Sequence, residues 1–302
     1  MAKEANFTLV QLRYFRAAAE LGSMTAAAQR ISVSQSAVST AVHHLERELG
    51  VQLLIRRHAR GLELTAAGER FLQELRGFLT HAEELTESAR SLGSDLVGEL
   101  SVGCFQTLTP FYLPMLLREF GARQPAVRVE AVEGDMAEVQ ESLRTGVCEL
   151  ALLYDMDLDG DIEREVLAMA PPYVLVPEGH RLAGCSGVRL ADLADEPMVL
   201  LDLPVSREYF RSVVARAGAE PRISHRTKSY ETVRALVAAG YGWSLLNQRP
   251  AHDRTYDGAR VVCLPPADRL PALPVVLARL RGVRLTGRAQ AFAAACREAL
   301  RG

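Results

Sequence analysis

The chain has 302 residues, 48% of them hydrophobic and 24% charged, with a formal net charge of −2. That composition belongs to a globular chain of two or three domains and excludes a collagenous, low-complexity or uniformly basic protein. No run approaches the ~20 apolar residues of a membrane helix, no basic-then-apolar leader opens the chain, and the five cysteines are widely spaced without CxxC or Cys/His metal spacing, so reduced thiols, a cytoplasmic location, no metal and no membrane partner are expected.

The charge is uneven. Up to Thr65, eight Lys or Arg stand against five Glu, a net +3 that leaves −5 to the remainder. A basic head on an acidic body fits a nucleic-acid-binding module attached to something else. Leu9, Leu12, Phe15, Ala18 and Ala19 recur at helical spacing and predict a first helix ending at Gly22. Ser23 is an N-cap for a second helix to Ile31, and Ser34, after a tight turn through Ser32 and Val33, is an N-cap for a third. This is the layout of a helix-turn-helix, in which the later helix lies in the DNA major groove. In it Val38, Ala41, Val42, Leu45 and Leu49 form the inward stripe. Gln35, Ser39 and His43 lie on the opposite face, with Ser36 and Thr40 beside them. Gln can contact adenine bidentately, and Ser and Thr can meet bases or phosphates. A solvated face on an ordinary helix would carry the same pattern. After Gly50, the segments 51–55 and 62–64 are strand-like and flank a basic turn of Arg56, Arg57, His58, Ala59, Arg60 and Gly61. Such a wing brings cations to phosphates or the adjoining minor groove.

Leu9, Leu12, Phe15, Gly22-Ser23, Ala26-Ala27, Val33-Ser34-Gln35, Ser39, Leu45-Glu46, Leu49-Gly50, Leu53, Arg56 and Leu64-Thr65-x-x-Gly68 together resemble the LysR-type transcriptional regulators. Ser36 departs from a frequent proline, and Leu54-Ile55 from a common pair of phenylalanine and acid. The resemblance implies a winged helix-turn-helix over 1–65, with Ser34, Gln35, Ser36, Ser39, Thr40 and His43 facing double-stranded DNA and Arg56 and Arg60 on the wing.

From Thr65 to about Leu92 the chain runs without proline. Phe71, Leu75, Phe78, Ala82, Leu85, Ala89 and Leu92 alternate by four and three, with Leu72 and Leu79 alongside. This is a heptad seam on a long linker helix, 66–93. One amphipathic helix packed on its own domain would look similar. Pairing with a second copy is the preferred expectation, because two heads on a twofold axis read a roughly palindromic site. The resemblance implies a homodimer, assembled further into a tetramer. Gly93, Ser94 and Gly98 mark a hinge.

Alternating signals follow, with strands at 100–103, 127–132, 149–154, 197–201, 223–227, 242–246 and 273–279. Helices are predicted at 109–123, 135–145, 206–217, 231–239 and 288–300. The order predicts an α/β body with mostly parallel sheets. Its length suggests two lobes, one of about 98–168 and 272–302, the other of about 169–271, with crossings near Leu167 to Pro172 and near Pro266 to Leu273. The family resemblance continues through Leu113-Pro114, Phe120, Pro125, Gly134, Leu143, Gly146, the run His180 to Ala183, Asp192-Leu193, Pro197 and the run Val237 to Gly242. It implies a two-lobed effector domain, 94–302, similar to periplasmic binding proteins and holding a small molecule between its lobes.

Ligands of open α/β sheets collect at the carboxyl ends of strands, facing helix N-termini. That rule selects Cys104, Phe105, Thr107 and Thr109, then Gly134 and Asp135, then Asp202, Pro204 and Ser206, and finally Ser229, Tyr230 and Asn247. Hydroxyl and N–H groups there would suit a carboxylate, and each is equally an ordinary helix cap. Asp135 and Asp202 argue against a pocket for strong anions; Arg207 turned inward would argue for one. Tyr230 and Phe105 could stack on an aromatic ligand or belong to the core.

The expected function is therefore sequence-specific DNA binding controlled by a small-molecule effector, with RNA polymerase a further partner if the protein activates. An enzyme on the same body would need a catalytic constellation, and G-x-S-x-G, P-loop, Rossmann and H-E-x-x-H patterns are all missing, so no catalytic residue and no cofactor are expected. A periplasmic binding protein would need a leader. A ligand-independent DNA-binding protein would leave the two-lobed body without a purpose.

Overall fold

The computed structural model describes residues 6–57, 61–90, 96–220 and 222–300. They form two compact units, divided principally between Gly98 and Glu99.

In the first unit, helix α1 (Leu9–Leu21) opens with a reciprocal capping box between Thr8 and Gln11. Ser23 caps α2 (Met24–Arg30) and Ser34 caps α3 (Gln35–Leu49). Ser32, at a left-handed φ of 56°, carries the turn between them. Leu12 and Phe15 of α1, Ala27 of α2 and Val38, Val42 and Leu45 of α3 meet in one core. Burying that stripe turns the polar face of α3 outward. The wing pairs β1 (Leu54–Arg57) antiparallel with β2 (Gly61–Leu64), Leu54 opposite Leu64. The Thr65 hydroxyl accepts from Gly68 N at 2.9 Å, opening α4 (Ala66–Arg90), and donates to Gln52 O at 2.7 Å. Gly68 is needed here because a Cβ would lie 2.1 Å from Leu53 O.

Helix α4 corrects the predicted seam. Leu75, with Leu72 and Leu79, is buried in the core of its own head, and Phe71 packs against that core with its ring 5.5 Å from Phe15. Phe78 and Leu85 instead stand 53% and 72% exposed, with Ala82 half-buried. Two neighbouring apolar stripes share the helix, one at 72, 75 and 79 and one at 78, 82 and 85. A heptad count merges them because 3.6 residues per turn drifts against a 3.5 repeat. The Ala89 side chain lies outside the described residues.

The second unit begins with β3 (Gly98–Phe105), α5 (Thr109–Arg123), β4 (Val127–Gly134), α6 (Met136–Arg144), β5 (Leu150–Tyr154), β6 (Ile162–Ala170) and β7 (Tyr173–Pro177). It continues with β8 (Met198–Leu201), α7 (Pro204–Arg216), β9 (Ile223–Thr227), α8 (Tyr230–Ala238), β10 (Ser244–Leu246), β11 (Val261–Leu264), β12 (Leu273–Leu280) and α9 (Gly287–Leu300). One lobe holds a five-stranded sheet in the order β4-β3-β5-β12-β6. The other holds β10-β7-β11 and the pair β8-β9, linked by a bridge between Met198 and Trp243. Gly242 permits that link: its φ is 141° and a Cβ would meet Pro197 O at 2.0 Å.

The expectation of mostly parallel sheets is corrected. β3 runs parallel to β5, and β8 to β9. β12 is antiparallel to both β5 and β6, and β7 is antiparallel to both β10 and β11. Strands β6, β7 and β11, which the sequence pattern does not predict, carry three of those four antiparallel pairings. β6 also runs to Ala170, past the expected lobe edge at 168. The chain crosses at Pro171-Pro172, which have no N–H to extend a ladder, and returns before Leu273.

Candidate functional site

Two groups of polar residues stand out, one in each unit. On α3, Ser34, Gln35, Ser36, Thr40 and His43 are exposed and Ser39 is half-buried. Ser34 Oγ accepts from Ala37 N at 3.2 Å and lies 3.0 Å from Ser36 Oγ, so this pair is engaged at the helix start. Gln35, Thr40 and His43 extend from the face beyond it. His43 Nδ1 sits 3.4 Å from one oxygen of Glu46. The other Glu46 oxygen accepts from Leu53 N at 2.8 Å and Leu54 N at 3.0 Å. Glu46 therefore ties the exposed helix to the start of the wing and sets the angle between them. Sequence reasoning missed this role, although a carboxylate eight residues before the strand start at Leu54 was a readable signal. The backbone of Arg56 lies in β1 opposite Leu62. Its side chain, and the whole of Arg60, lie outside the described residues.

In the second unit a small cavity of about 20 Å³ lies between the lobes. Thr107, Ser206, Tyr230 and Asn247 line it, as expected from strand ends and helix starts. Thr107 precedes α5, Ser206 is in the first turn of α7, and Tyr230 begins α8. Helix α5 has proline as its second residue and α7 as its first, and neither has a side-chain cap, so their first-turn N–H groups have no capping oxygen from a side chain.

The other eight expected residues are not brought to the lining, each for a local reason. Cys104 and Phe105 are buried at the end of β3, Phe105 with its ring 5.7 Å from Tyr154. Thr109 donates to Phe105 O at 3.4 Å. Asp135, after Gly134, accepts from Ala137 N and Glu138 N at 2.9 and 3.0 Å and so caps α6. Asp202 is ion-paired to Arg207, which removes the inward cation considered for the pocket. Pro204 serves as the first residue of α7, and Ser229 caps α8.

Three polar wall residues were missed, Tyr154, Tyr209 and Gln248, together with the apolar Met156, Leu201, Phe210, Leu246 and Leu273. Tyr154 ends β5, so the strand-end rule could have found it; Tyr209 follows Ser206 by three positions on α7. Tyr173 Oη lies 2.8 Å from Tyr230 Oη and 2.9 Å from Gln248 O, and Tyr230 Oη also meets that carbonyl, so two hydroxyl protons serve three contacts: Tyr173 donates to Tyr230 and Tyr230 to Gln248 O. Burial pushes the Tyr154 and Tyr173 hydroxyls up and Tyr230 to about 12, so all three are neutral donors near neutrality. Asn247 donates through Nδ2 to Ala170 O and to Tyr209 Oη, both at 3.0 Å. Asn247 Oδ1 is buried without a hydrogen-bond partner, whereas the Gln248 side chain meets the Tyr154 hydroxyl, which Thr107 also meets. Behind Tyr230, buried Arg234 bonds Glu231 at 3.0 Å and the carbonyls of His252 and Arg254 at 3.3 and 2.8 Å. It ties α8 to the loop that leaves Gln248.

Burial also pushes the thiols of Cys104, Cys148 and Cys296 up to about 12, which suppresses the reactive thiolate. Among the described residues, no His/Cys/Asp/Glu cluster could hold a metal, and no helix is long and apolar enough to cross a membrane.

A winged helix-turn-helix with an outward polar row, in one chain with a two-lobed α/β body, defines the class: a DNA-binding transcriptional regulator with an effector-binding domain. Residues 9–69 match the family described as bacterial regulatory helix-turn-helix protein, lysR family, and residues 93–301 match the LysR substrate binding domain. The chain belongs to the LysR family of transcriptional regulators, and these matches identify it as a regulator rather than an enzyme. It is 34% identical to the regulator TcbR of Pseudomonas sp. strain P51, over 78% of this chain and 81% of that protein. It is similar to the crystal structure of HinK, a LysR family regulator from Pseudomonas aeruginosa, at 38% identity and TM-score 0.66, covering 98% of this chain and 99% of that one. It is also similar to full-length CbnR complexed with its target DNA, at 28% identity and TM-score 0.57, covering 97% and 100% of the two chains.

Proposed function

We propose that DNA reading by this regulator is set by a small molecule held between the lobes, against Thr107, Ser206, Tyr230 and Asn247, with Tyr154, Tyr209 and Gln248 completing the wall. The observation that carries this reading is the convergence of Thr107, Ser206, Tyr209, Tyr230, Asn247 and Gln248 on one wall between the lobes, with Asn247 Oδ1 buried there without a partner. Such an atom costs roughly 1–3 kcal/mol, and native folds keep few of them. A bound ligand supplies the partner. The same observation disfavours ligand-independent DNA binding.

In this proposal residues 1–65 read DNA, 66–93 dimerise and 94–302 sense. Gln35, Thr40 and His43 reach bases, Ser34, Ser36 and Ser39 border the backbone, and Arg56 and Arg60 neutralise phosphates. The working unit is a cytoplasmic homodimer, paired through Phe78, Ala82 and Leu85 and assembled further into a tetramer. It contacts RNA polymerase where it activates. The effector shifts the assembly by binding one arrangement more tightly than the other.

The test is a thermal-shift screen of metabolites against the full chain, followed by operator titrations. A ligand of the folded state raises the melting temperature by mass action and should change operator affinity or footprint. Compounds that raise the melting temperature and leave both unchanged would contradict the proposal.

A further inference from the structure

Resting on that reading of the cleft, we propose that its own side chains latch the two lobes together, and that an effector acts by parting them rather than by drawing them in. The space left between the lobes is about 20 Å³. That is room for one water molecule, far below the ~300 Å³ at which small-molecule sites begin. A ligand of that size therefore enters only where the lobes separate.

Two contacts cross the cleft and oppose separation. Phe111, in the first turn of α5, sets its ring edge-on to Tyr230, the first residue of α8, with centroids 5.7 Å apart and planes at 83°. Tyr154, at the end of β5, shares its hydroxyl with the side chain of Gln248, just beyond β10. Strand β5 and helix α5 belong to one lobe, β10 and α8 to the other.

Each half of the latch is braced on its own side. Tyr154 also meets Thr107 and packs edge-on against Phe105, with ring centroids 5.7 Å apart. Tyr173 donates to Tyr230, which donates to Gln248 O, so the two members on the second lobe move together. Behind them Arg234 holds α8 to the carbonyls of His252 and Arg254. At the crossing, Asn247 Nδ2 donates to Ala170 O at 3.0 Å, next to Pro171-Pro172. Two braced halves joined at a pivot part by hinge rotation. What they lose is one hydrogen bond and one ring edge, contacts modest enough to be exchanged for contacts to a ligand. A ligand that fits only the parted arrangement shifts the equilibrium toward it. A substitution that breaks the latch shifts it the same way with no ligand at all.

The experiment uses the full chain and needs no compound. Tyr154→Phe keeps the ring and removes the hydroxyl; it is compared with Phe111→Ala, with the double variant, and with Ser206→Leu, which drives bulk into the water-sized space. Hydrogen exchange is read at the start of α7, residues 205–209, against the core strand β5, and the operator footprint is read alongside. The double variant should exchange at 205–209 about tenfold faster than the wild type or more, with β5 still protected, and should change the footprint. Ser206→Leu should change the footprint in the same sense. If Phe111→Ala exposes β5 as well, Tyr154→Phe alone carries the comparison and should move both readouts part-way. Wild-type exchange and footprint in the double variant, or in Tyr154→Phe where that one decides, would overturn the latch and leave the effector reading to its own screen. Faster exchange with an unmoved footprint, or opposite footprint changes from Ser206→Leu and the double variant, would overturn parting as the signal.

Discussion

The reading head and the effector body place their working residues by opposite means. In the head, one helix carries the row from Gln35 to His43, and burial of Val38, Val42 and Leu45 alone points that row outward. In the body, Thr107, Tyr154, Ser206, Tyr230 and Asn247 come from separate strand ends and helix starts and meet only when two lobes form. An exposed row remains hydrated and costs the fold little. A buried polar wall must find partners, and Asn247 Oδ1 has none. On the proposed reading, conditional behaviour is built in the region whose polar groups are buried, not in the one that touches water.

The largest expected effect separates the two stripes of α4. Leu75 is 3% exposed in the head core. Leu75→Asp should cost at least the ~2–5 kcal/mol of emptying a core leucine site, with a buried charge added, and circular dichroism should show the head unfolded. Phe78→Asp, on the exposed stripe, should leave the head's melting in place and move sedimentation toward monomer. A dimer that persists in Phe78→Asp would place the pairing surface elsewhere.

Next comes the exposed row. Gln35→Ala should lose roughly 1–3 kcal/mol of base discrimination at one position of each half-site, measured across a binding-site library, with the body's melting unchanged. An unaltered preference would remove Gln35 from base readout.

A smaller effect probes the buried wall. Tyr230→Phe deletes a hydroxyl shared with Tyr173 and Gln248 O. It should weaken the effector response by roughly 0.5–1.5 kcal/mol and leave ligand-free operator affinity in place. An unchanged response would separate that hydroxyl from the sensing wall.

The smallest is a pH effect confined to the body. Burial acts to raise Glu196, but hydrogen bonds from His180 and Arg181 outweigh it and hold its carboxyl below the usual range. A lowered folded value means the contribution is full above the ordinary carboxylate range and lost as pH falls through the lowered value. Glu196→Gln should flatten the acid limb of the body's melting curve. A wild-type slope in that variant would show that the ion pair is neutral to stability.

Legibility in the sequence follows the same division. The head is readable because its signals are local: caps at Ser23, Ser34 and Thr65, a glycine stop at Gly22 and one inward stripe. Helix α5 is bounded at Thr109 and Arg123 as its pattern predicts. Strand β6 is not readable, because Glu163, Arg164 and Glu165 suggest a solvated loop. In the fold Glu163 pairs with Arg279 at 2.7 Å and Glu165 with Arg297 at 2.9 Å, partners more than a hundred residues away. Strand β7 follows two prolines and β11 has four residues, too short for a period to show. At the cavity, helix-start rules find Thr107, Ser206 and Tyr230 and also select caps such as Asp135 and Ser229. Which hydroxyls face a ligand and which face their own helix is decided by tertiary closure.

The claim that a buried cavity sets what the exposed row reads is tested most directly by footprinting. The full chain would be footprinted on its operator with and without its effector, as the wild type and as Asn247→Asp. The expected result is an effector-dependent change in affinity or protected length for the wild type that Asn247→Asp does not show at the same concentration. An identical change in both proteins, or none in a wild type shown by calorimetry to hold the effector, would contradict it.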